Sequence, residues 1–199
     1  MNKYIEDSII NTKWHQFIYG YNTYERTEFL KRMTFNHPIT VNNDSPQAIY
    51  IEDFGLPIID SEYLVDRNLL NMVSRNYFDF TIYYQLLSEL LNTDSCMKLN
   101  GREEVFLEYV NNFILEDGFD KIQTLELLKD SLFQAKSFYK DKYISLLTET
   151  DLKNDITDLS ISSIFMSKRY LKEFKNMINN NSYFALIIDH KNSIPLIST

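Results

Sequence analysis

The sequence predicts an α/β protein that has a small, mostly parallel sheet and a large helical insertion. Short apolar runs, rich in aromatic and β-branched residues, occur near both ends of the chain, at 14–19, 48–51 and 182–190. Runs that are apolar on both faces are typical of strands in a parallel sheet covered on both sides. The chain between 61 and 181 has its apolar residues at helical spacing instead. Strands on either side of a helical stretch favour an α/β core.

One alternative stays open at this point, a mainly α-helical protein in which the strand signals form only a small sheet. The chain has 199 residues, of which 44% are hydrophobic, and this is enough for one well-filled core. We therefore predict a single domain over residues 1–199. Residues 1–60 and 182–199 would form its α/β core, and residues 61–181 its helical insertion.

The first elements are a strand, a glycine turn and a helix. The run "WHQFIY" at 14–19 is short, aromatic and followed by Gly20, which favours a buried strand. Charged residues with apolar ones at helical spacing predict a helix over 25–33. Short extended segments follow at 38–41 and 48–51, because turn-forming residues separate them.

The middle of the chain is predicted to be helical, and its end is predicted to form strands. The helical pattern of 61–181 predicts three or four helices. It is interrupted at 92–95, 99–101, 116–120 and around 150–160. The last strands are predicted in "SYFALIIDH", an apolar run that ends at Asp189, and in "SIPLIST" at 193–199.

The opening strand, turn and helix carry part of a phosphate-binding pattern, G-x-x-x-x-G-K-[ST]. Residues 20–27 read "GYNTYERT", so Gly20 and Thr27 match and Arg26 stands in the place of the lysine. The run "FALII" before Asp189 has the form of a strand that ends in a magnesium-orienting acid. On these segments the chain resembles a degenerate P-loop NTPase domain of the AAA+ or STAND-like kind.

The resemblance implies a role for each matching residue, with ATP and Mg²⁺ as cofactors. Gly20 would open the loop, and Arg26 would bind phosphate in place of the lysine. Thr27 would offer its hydroxyl to the metal, and Asp189 would orient it. Glu25, however, occupies the place of the second glycine and brings a negative charge toward an anionic ligand.

Catalysis is not expected from this degenerate site. His190 stands where many related ATPases have a catalytic glutamate, so no base remains to position an attacking water. We therefore assign no catalytic residue, and any activity would be ATP hydrolysis. The first functional hypothesis is a P-loop NTPase-like domain with a degenerate nucleotide site and a regulatory or assembly role in a larger complex. The alternative is a non-enzymatic, mainly helical protein–protein interaction module that binds no nucleotide.

Charge and cysteine content limit the partners. The net charge of −8 and the pI near 4.9 argue against direct nucleic-acid binding and against anionic membranes. An apolar edge strand at 14–19 would invite a protein partner or self-association. Cys96 is the single cysteine, which excludes an intrachain disulfide and favours a cytoplasmic location.

Three further patterns have ordinary structural interpretations. The basic stretch at 167–175 is typical of a solvated helix face, because apolar residues alternate with its charges. Aromatic residues at helical spacing, such as Tyr77, Phe80 and Tyr84, predict core positions, although interspersed tyrosines are also typical of protein interfaces. The histidines lie far apart in sequence, so they predict no metal site.

Overall fold

A computed structural model of the chain describes residues 23–36, 47–52, 67–92, 102–148, 159–161, 167–178 and 184–189. These residues form, in chain order, α1 (Thr23–Asn36), β1 (Gln47–Glu52), α2 (Arg67–Leu91), α3 (Arg102–Phe113), α4 (Leu125–Thr148), α5 (Ser167–Met177) and β2 (Phe184–Asp189). The chain divides into two compact units. Unit 1 comprises Met1–Asp53 and Asn179–Thr199, and unit 2 comprises Phe54–Ile178.

In unit 1, helix α1 packs against the two strands. Its buried apolar residues Phe29, Leu30 and Met33 recur at three- and four-residue spacing, so they occupy one side of the helix. They form a core cluster with Ala48 of β1 and Ile187 of β2. The predicted helix at 25–33 is confirmed, and the structure extends it at both ends.

The two strands pair in parallel although the whole of unit 2 separates them in sequence. The register runs from Gln47 opposite Phe184 to Glu52 opposite Asp189. The strands predicted at 48–51 and within 182–190 are therefore confirmed. Those predicted at 14–19, 38–41 and 193–199 lie outside the described residues.

The predicted fold class, an α/β sheet of P-loop NTPase type, is wrong. Helices form most of the described chain, and the sheet that these residues contain has two strands. The alternative, a mainly α-helical protein with a small sheet, describes them better. An apolar run predicts a buried extended segment, but it carries no information on how many strands will lie beside it. Among the described residues, the segment predicted as an insertion also supplies most of the buried aromatic side chains.

Unit 2 contains α2 to α5, as the helical pattern predicted, and the interruptions fall between these helices. The long helices α2 and α4 pack against each other. The rings of Phe80 and Tyr139 stack with centroids 5.5 Å apart, and those of Tyr84 and Phe133 lie 5.6 Å apart. Later residues of α2 meet earlier residues of α4, so the two helices are antiparallel. Phe80 is fully buried, as predicted for a core position.

Helices α3 and α5 form a second antiparallel pair. The ring of Phe106 meets those of Tyr170 and Phe174, with centroids 5.3 and 6.1 Å apart. Near the other helix ends, the Arg102 guanidinium donates a hydrogen bond of 3.4 Å to the Asn176 carbonyl. The Tyr170 ring also lies 4.1 Å from that of Tyr83 on α2. The α5 helix is therefore joined to the core through both α3 and α2.

The connection between α3 and α4 is held by side chains at both of its ends. The Asn111 amide donates to the Ile122 carbonyl and accepts from the Ile122 amide, both at 2.8 Å. Thr124 caps α4, because its hydroxyl accepts from the Leu127 amide at 3.2 Å. Gly118 has φ of 94°, a conformation that other residues rarely adopt. Asn111, Gly118 and Thr124 therefore account for the conformation of this connection.

Candidate interaction surface on helices α3 and α5

The predicted nucleotide-binding residues are only partly within the described chain. Gly20 lies outside it, whereas Arg26 and Thr27 lie in α1. Because this helix begins at Thr23, the Thr27 amide falls beyond the first four orphan donors and bonds to the carbonyl one turn earlier. The Thr27 amide therefore serves the helix, and phosphate binding by Gly20 and Arg26 stays a prediction.

The predicted metal ligands lie in the same unit. Thr27 is 8% exposed on α1, and Asp189 is the last residue of β2. The register places Asp189 directly opposite Glu52, so two acidic residues end neighbouring parallel strands. The sequence did not reveal this juxtaposition, because Asp189 comes 137 positions after Glu52. A shared magnesium site for Thr27 and Asp189 stays a prediction, and the described residues contain no cluster of three or more metal-binding side chains.

A different surface, on α3, stands out by its exposed apolar side chains. Val105, Tyr109 and Phe113 recur every four residues and therefore line one side of the helix. Tyr109 is buried, but Val105 is 62% and Phe113 is 58% exposed. Two large apolar side chains thus remain accessible to solvent beside a buried tyrosine.

Arg169 of α5 covers the tyrosine between them. Its guanidinium lies 5.1 Å from the ring centroid of Tyr109 and 4.2 Å from that of Phe113. Both distances are within the range of cation–π attraction. Burial raises the pKa of Tyr109; the Arg169 charge opposes this shift and Glu173 adds to it. The guanidinium is held in place by ring stacking, and Arg169 forms no ion pair or hydrogen bond with the described residues.

Other charged residues of opposite sign lie elsewhere on the two helices. Glu104 and Glu108 are exposed on α3, and Arg169, Lys172 and Lys175 lie on α5. Within the described part of the chain, none of these acids forms an ion pair with any of these bases. We call the surface made by Val105, Tyr109 and Phe113 together with Arg169 the α3–α5 face.

A second cation–aromatic cluster lies between α2 and α4 and provides a comparison. Lys136 Nζ is 5.0 Å from the Tyr84 ring centroid and 6.0 Å from that of Phe133. Burial lowers the pKa of Lys136, and the neighbouring Lys140 lowers it further. Phe133 is 50% exposed, close to the exposure of Phe113. This cluster lacks the shorter guanidinium stacking and is therefore a matched control rather than the leading candidate.

Sequence reasoning found the basic stretch but not its contacts. The amphipathic helix predicted at 167–175 is present, with Tyr170 and Phe174 fully buried and Arg169 exposed. The stacking of Arg169 was missed because its aromatic partners lie on another helix, more than fifty positions earlier. The one available signal was the apolar spacing of 105, 109 and 113 next to exposed acids.

None of the described helices is both long enough and apolar enough to cross a membrane. The P-loop resemblance stays a motif-level prediction, so the α3–α5 face must be interpreted from its own geometry. No protein-family model, curated protein or solved structure matches this sequence.

Proposed function

We propose that this chain is a non-enzymatic, mainly helical protein-interaction module that works without nucleotide, with the α3–α5 face as its binding surface. The observation that carries this proposal is the Arg169 guanidinium stacked 4.2 Å from the ring of the exposed Phe113. The proposed location is the cytoplasm, where a chain with one cysteine needs no disulfide.

The composition of the face supports binding to protein. Arginine and aromatic residues are enriched among the residues that dominate binding energy at protein interfaces. A guanidinium already ordered by Tyr109 and Phe113 loses little side-chain entropy when a partner docks. Its N–H groups have no acceptor among the described residues, so they can donate to a carboxylate or carbonyl of the partner.

The test compares the α3–α5 face with the control cluster. Tagged full-length chain, expressed in its native cells, is cross-linked and recovered as wild type, Phe113→Ala or Arg169→Ala. Phe133→Ala and Lys136→Ala are the matched controls. Because hot-spot truncations cost about 2 kcal/mol or more, the two face variants should lose about thirtyfold in affinity for the captured protein.

Equal recovery by all five chains would overturn the proposed surface. The control variants should retain the captured protein, because they remove a similarly exposed ring and a similar cation elsewhere. The thermal midpoint of each variant is measured first, and only variants with the wild-type midpoint are compared, so that loss of fold is not mistaken for loss of contact.

The proposal also opposes the nucleotide hypothesis in a direct way. A ligand that binds only the native state raises the thermal midpoint by mass action. We expect millimolar Mg-ATP, Mg-ADP or Mg-GTP to leave the midpoint unchanged. A shift that both Thr27→Ala and Asp189→Ala abolish would instead favour the degenerate nucleotide site.

A further inference from the structure

We infer that the α3–α5 face binds an acidic segment of another protein, with a carboxylate of that segment on Arg169 and a neighbouring apolar side chain on Phe113. The inference rests on the proposed function, because it names the chemical class of the partner that the same face takes. Three observations carry it: two hydrogen-bond donors without acceptors, the charges around them and the exposed apolar side chains.

Two hydrogen-bond donors of this face have no acceptor within the described part of the chain. The Arg169 guanidinium stacks on Tyr109 and Phe113 but forms no hydrogen bond or ion pair there. The Tyr109 hydroxyl is buried and also has no hydrogen-bond partner. Because the guanidinium carbon lies 5.1 Å from the centroid of the Tyr109 ring, the two donors belong to one site.

The chemical group that suits both donors is a carboxylate. A guanidinium can only donate hydrogen bonds, whereas an ionised carboxylate can only accept them. Its two oxygens can accept from an N–H of Arg169 and from the O–H of Tyr109 at the same time. Hydrogen bonds assisted by charge are about twice as strong as neutral ones. A carbonyl would also accept, but it would leave the positive charge of Arg169 unpaired.

The charges around Arg169 favour a negative ligand. Lys172 is exposed three residues later on α5, and this spacing makes it a neighbour of Arg169 on the helix surface. Glu104 and Glu108 of α3 are turned about 180° and about 140° away from Phe113. These two acids therefore do not offset the positive charge beside the rings.

One acid, Glu173, does lie near this site. It is half-buried on α5, and its carboxylate accepts a hydrogen bond of 3.2 Å from the Asn176 side chain. Burial raises the pKa of Tyr109, the Arg169 charge opposes this shift and the Glu173 charge adds to it. The charge of Glu173 therefore reaches the site, and a carboxylate bound there would be repelled by it. This repulsion provides a test.

The exposed apolar side chains indicate what else the partner must carry. Val105 and Phe113 are 62% and 58% exposed and stand about 12 Å apart along α3. A partner segment that follows the helix can bury both with aromatic or long aliphatic side chains beside its acid. A nucleic acid offers no such side chains, and the net charge of −8 repels a polyanion. The partner is therefore an acidic protein segment.

The first test is selection from a phage-displayed library of random peptides that are long enough to span Val105 to Phe113. Immobilised full-length chain should enrich peptides in which Asp or Glu stands beside an aromatic or long aliphatic residue. The Arg169→Glu chain should lose these peptides and enrich Lys or Arg at the same place. Phe133→Ala and Lys136→Ala, in the control cluster, should enrich the same peptides as wild type.

The second test measures the enriched peptide against full-length variants by fluorescence anisotropy. Replacing its acidic residue by the corresponding amide should weaken binding to wild type about tenfold. The same replacement should leave binding to Arg169→Ala unchanged, as expected when two groups interact directly. Tyr109→Phe should weaken binding but keep the thermal midpoint, because the hydroxyl has no partner among the described residues. Glu173→Gln should strengthen binding, because it removes a negative charge beside the bound carboxylate.

Selection of basic peptides, of purely apolar peptides or of none would overturn the inference. An amide-substituted peptide that binds wild type as well as the acidic peptide does would also overturn it. Wild-type affinity in both Tyr109→Phe and Glu173→Gln would overturn the placement of the carboxylate. If any of these chains fails while Phe113 and Arg169 are still needed to capture a cellular protein, the proposed function stands without this inference. Loss of capture as well would remove both.

Discussion

Unit 1 and unit 2 bury their apolar side chains in different ways. In unit 1 the core cluster joins one helix to two strands through Phe29, Leu30, Met33, Ala48 and Ile187. In unit 2 four helices share large aromatic side chains, and Phe80, Tyr83, Phe106, Tyr170 and Phe174 are almost fully buried. The first arrangement depends on contacts between distant parts of the sequence, and the second is made of helices that form from local contacts.

This difference predicts the order in which the two units fold. Closing a loop costs entropy before the contacts at its ends can form. The β1–β2 pair must close a loop that contains the whole of unit 2, whereas each helix of unit 2 forms within one short segment. We therefore expect unit 2 to fold first and the sheet of unit 1 to form afterwards.

Phe80→Ala should give the largest effect, because it removes a fully buried ring that stacks on Tyr139. Loss of a buried phenylalanine costs about 3–5 kcal/mol of unfolding free energy. Urea titration followed by circular dichroism measures this change. Phe133→Ala is the control, since its side chain is half exposed, and an equal loss from both would contradict the assignment of the unit 2 core.

Met33→Ala should weaken unit 1 by about 2–5 kcal/mol, because Met33 is fully buried against the strands. Hydrogen exchange, resolved by residue, is the measurement. Amides of β1 and β2 should lose protection while those of α2 and α4 keep theirs. Equal loss in both units would show that they unfold together and would remove the proposed order of folding.

Asn111→Ala should cost about 1–3 kcal/mol, because it leaves the Ile122 amide and carbonyl without their side-chain partner. The neighbouring Asn112 is exposed, so Asn112→Ala serves as the control and should change little. Thermal unfolding of both variants distinguishes the loss of the two Asn111–Ile122 hydrogen bonds from a general effect of losing asparagine. Identical midpoints would show that these hydrogen bonds contribute nothing to stability.

Tyr170→Phe should give the smallest effect at neutral pH, a gain of up to about 1 kcal/mol, because the buried Tyr170 hydroxyl has no hydrogen-bond partner among the described groups. The gain should grow at high pH. Burial raises the pKa of Tyr170 well above 10.0, and the nearby Tyr83 and Tyr109 add to the shift.

The sign follows from proton binding. The folded state keeps the Tyr170 proton above the pH at which the unfolded tyrosine releases it. Deprotonation therefore stabilises the unfolded state in that pH range. Wild type therefore loses stability relative to Tyr170→Phe as the pH rises above about 10. Unfolding free energies of wild type and Tyr170→Phe, compared from pH 8 to about 11, should diverge; parallel curves would contradict the shift.

The sequence predicted individual elements better than their assembly. Helical spacing located α1 through Phe29, Leu30 and Met33, and the apolar run before Asp189 located β2. Partners across the fold were not predictable, because neither the pairing of Glu52 with Asp189 nor the stacking of Arg169 on Phe113 leaves a local pattern. The error in fold class has the same origin, since strand signals indicated where the chain extends but not how many strands would assemble.

The parallel direction of β1 and β2 limits how the protein can be shortened. A two-residue hairpin can join antiparallel strands, but parallel strands require a connection of about a dozen residues or more, because the chain leaves one strand at the end opposite to where the next begins. Six paired residues in each strand correspond to a path of about 20 Å. Any miniaturised unit 1 made by excising unit 2 must therefore retain a long crossover linker.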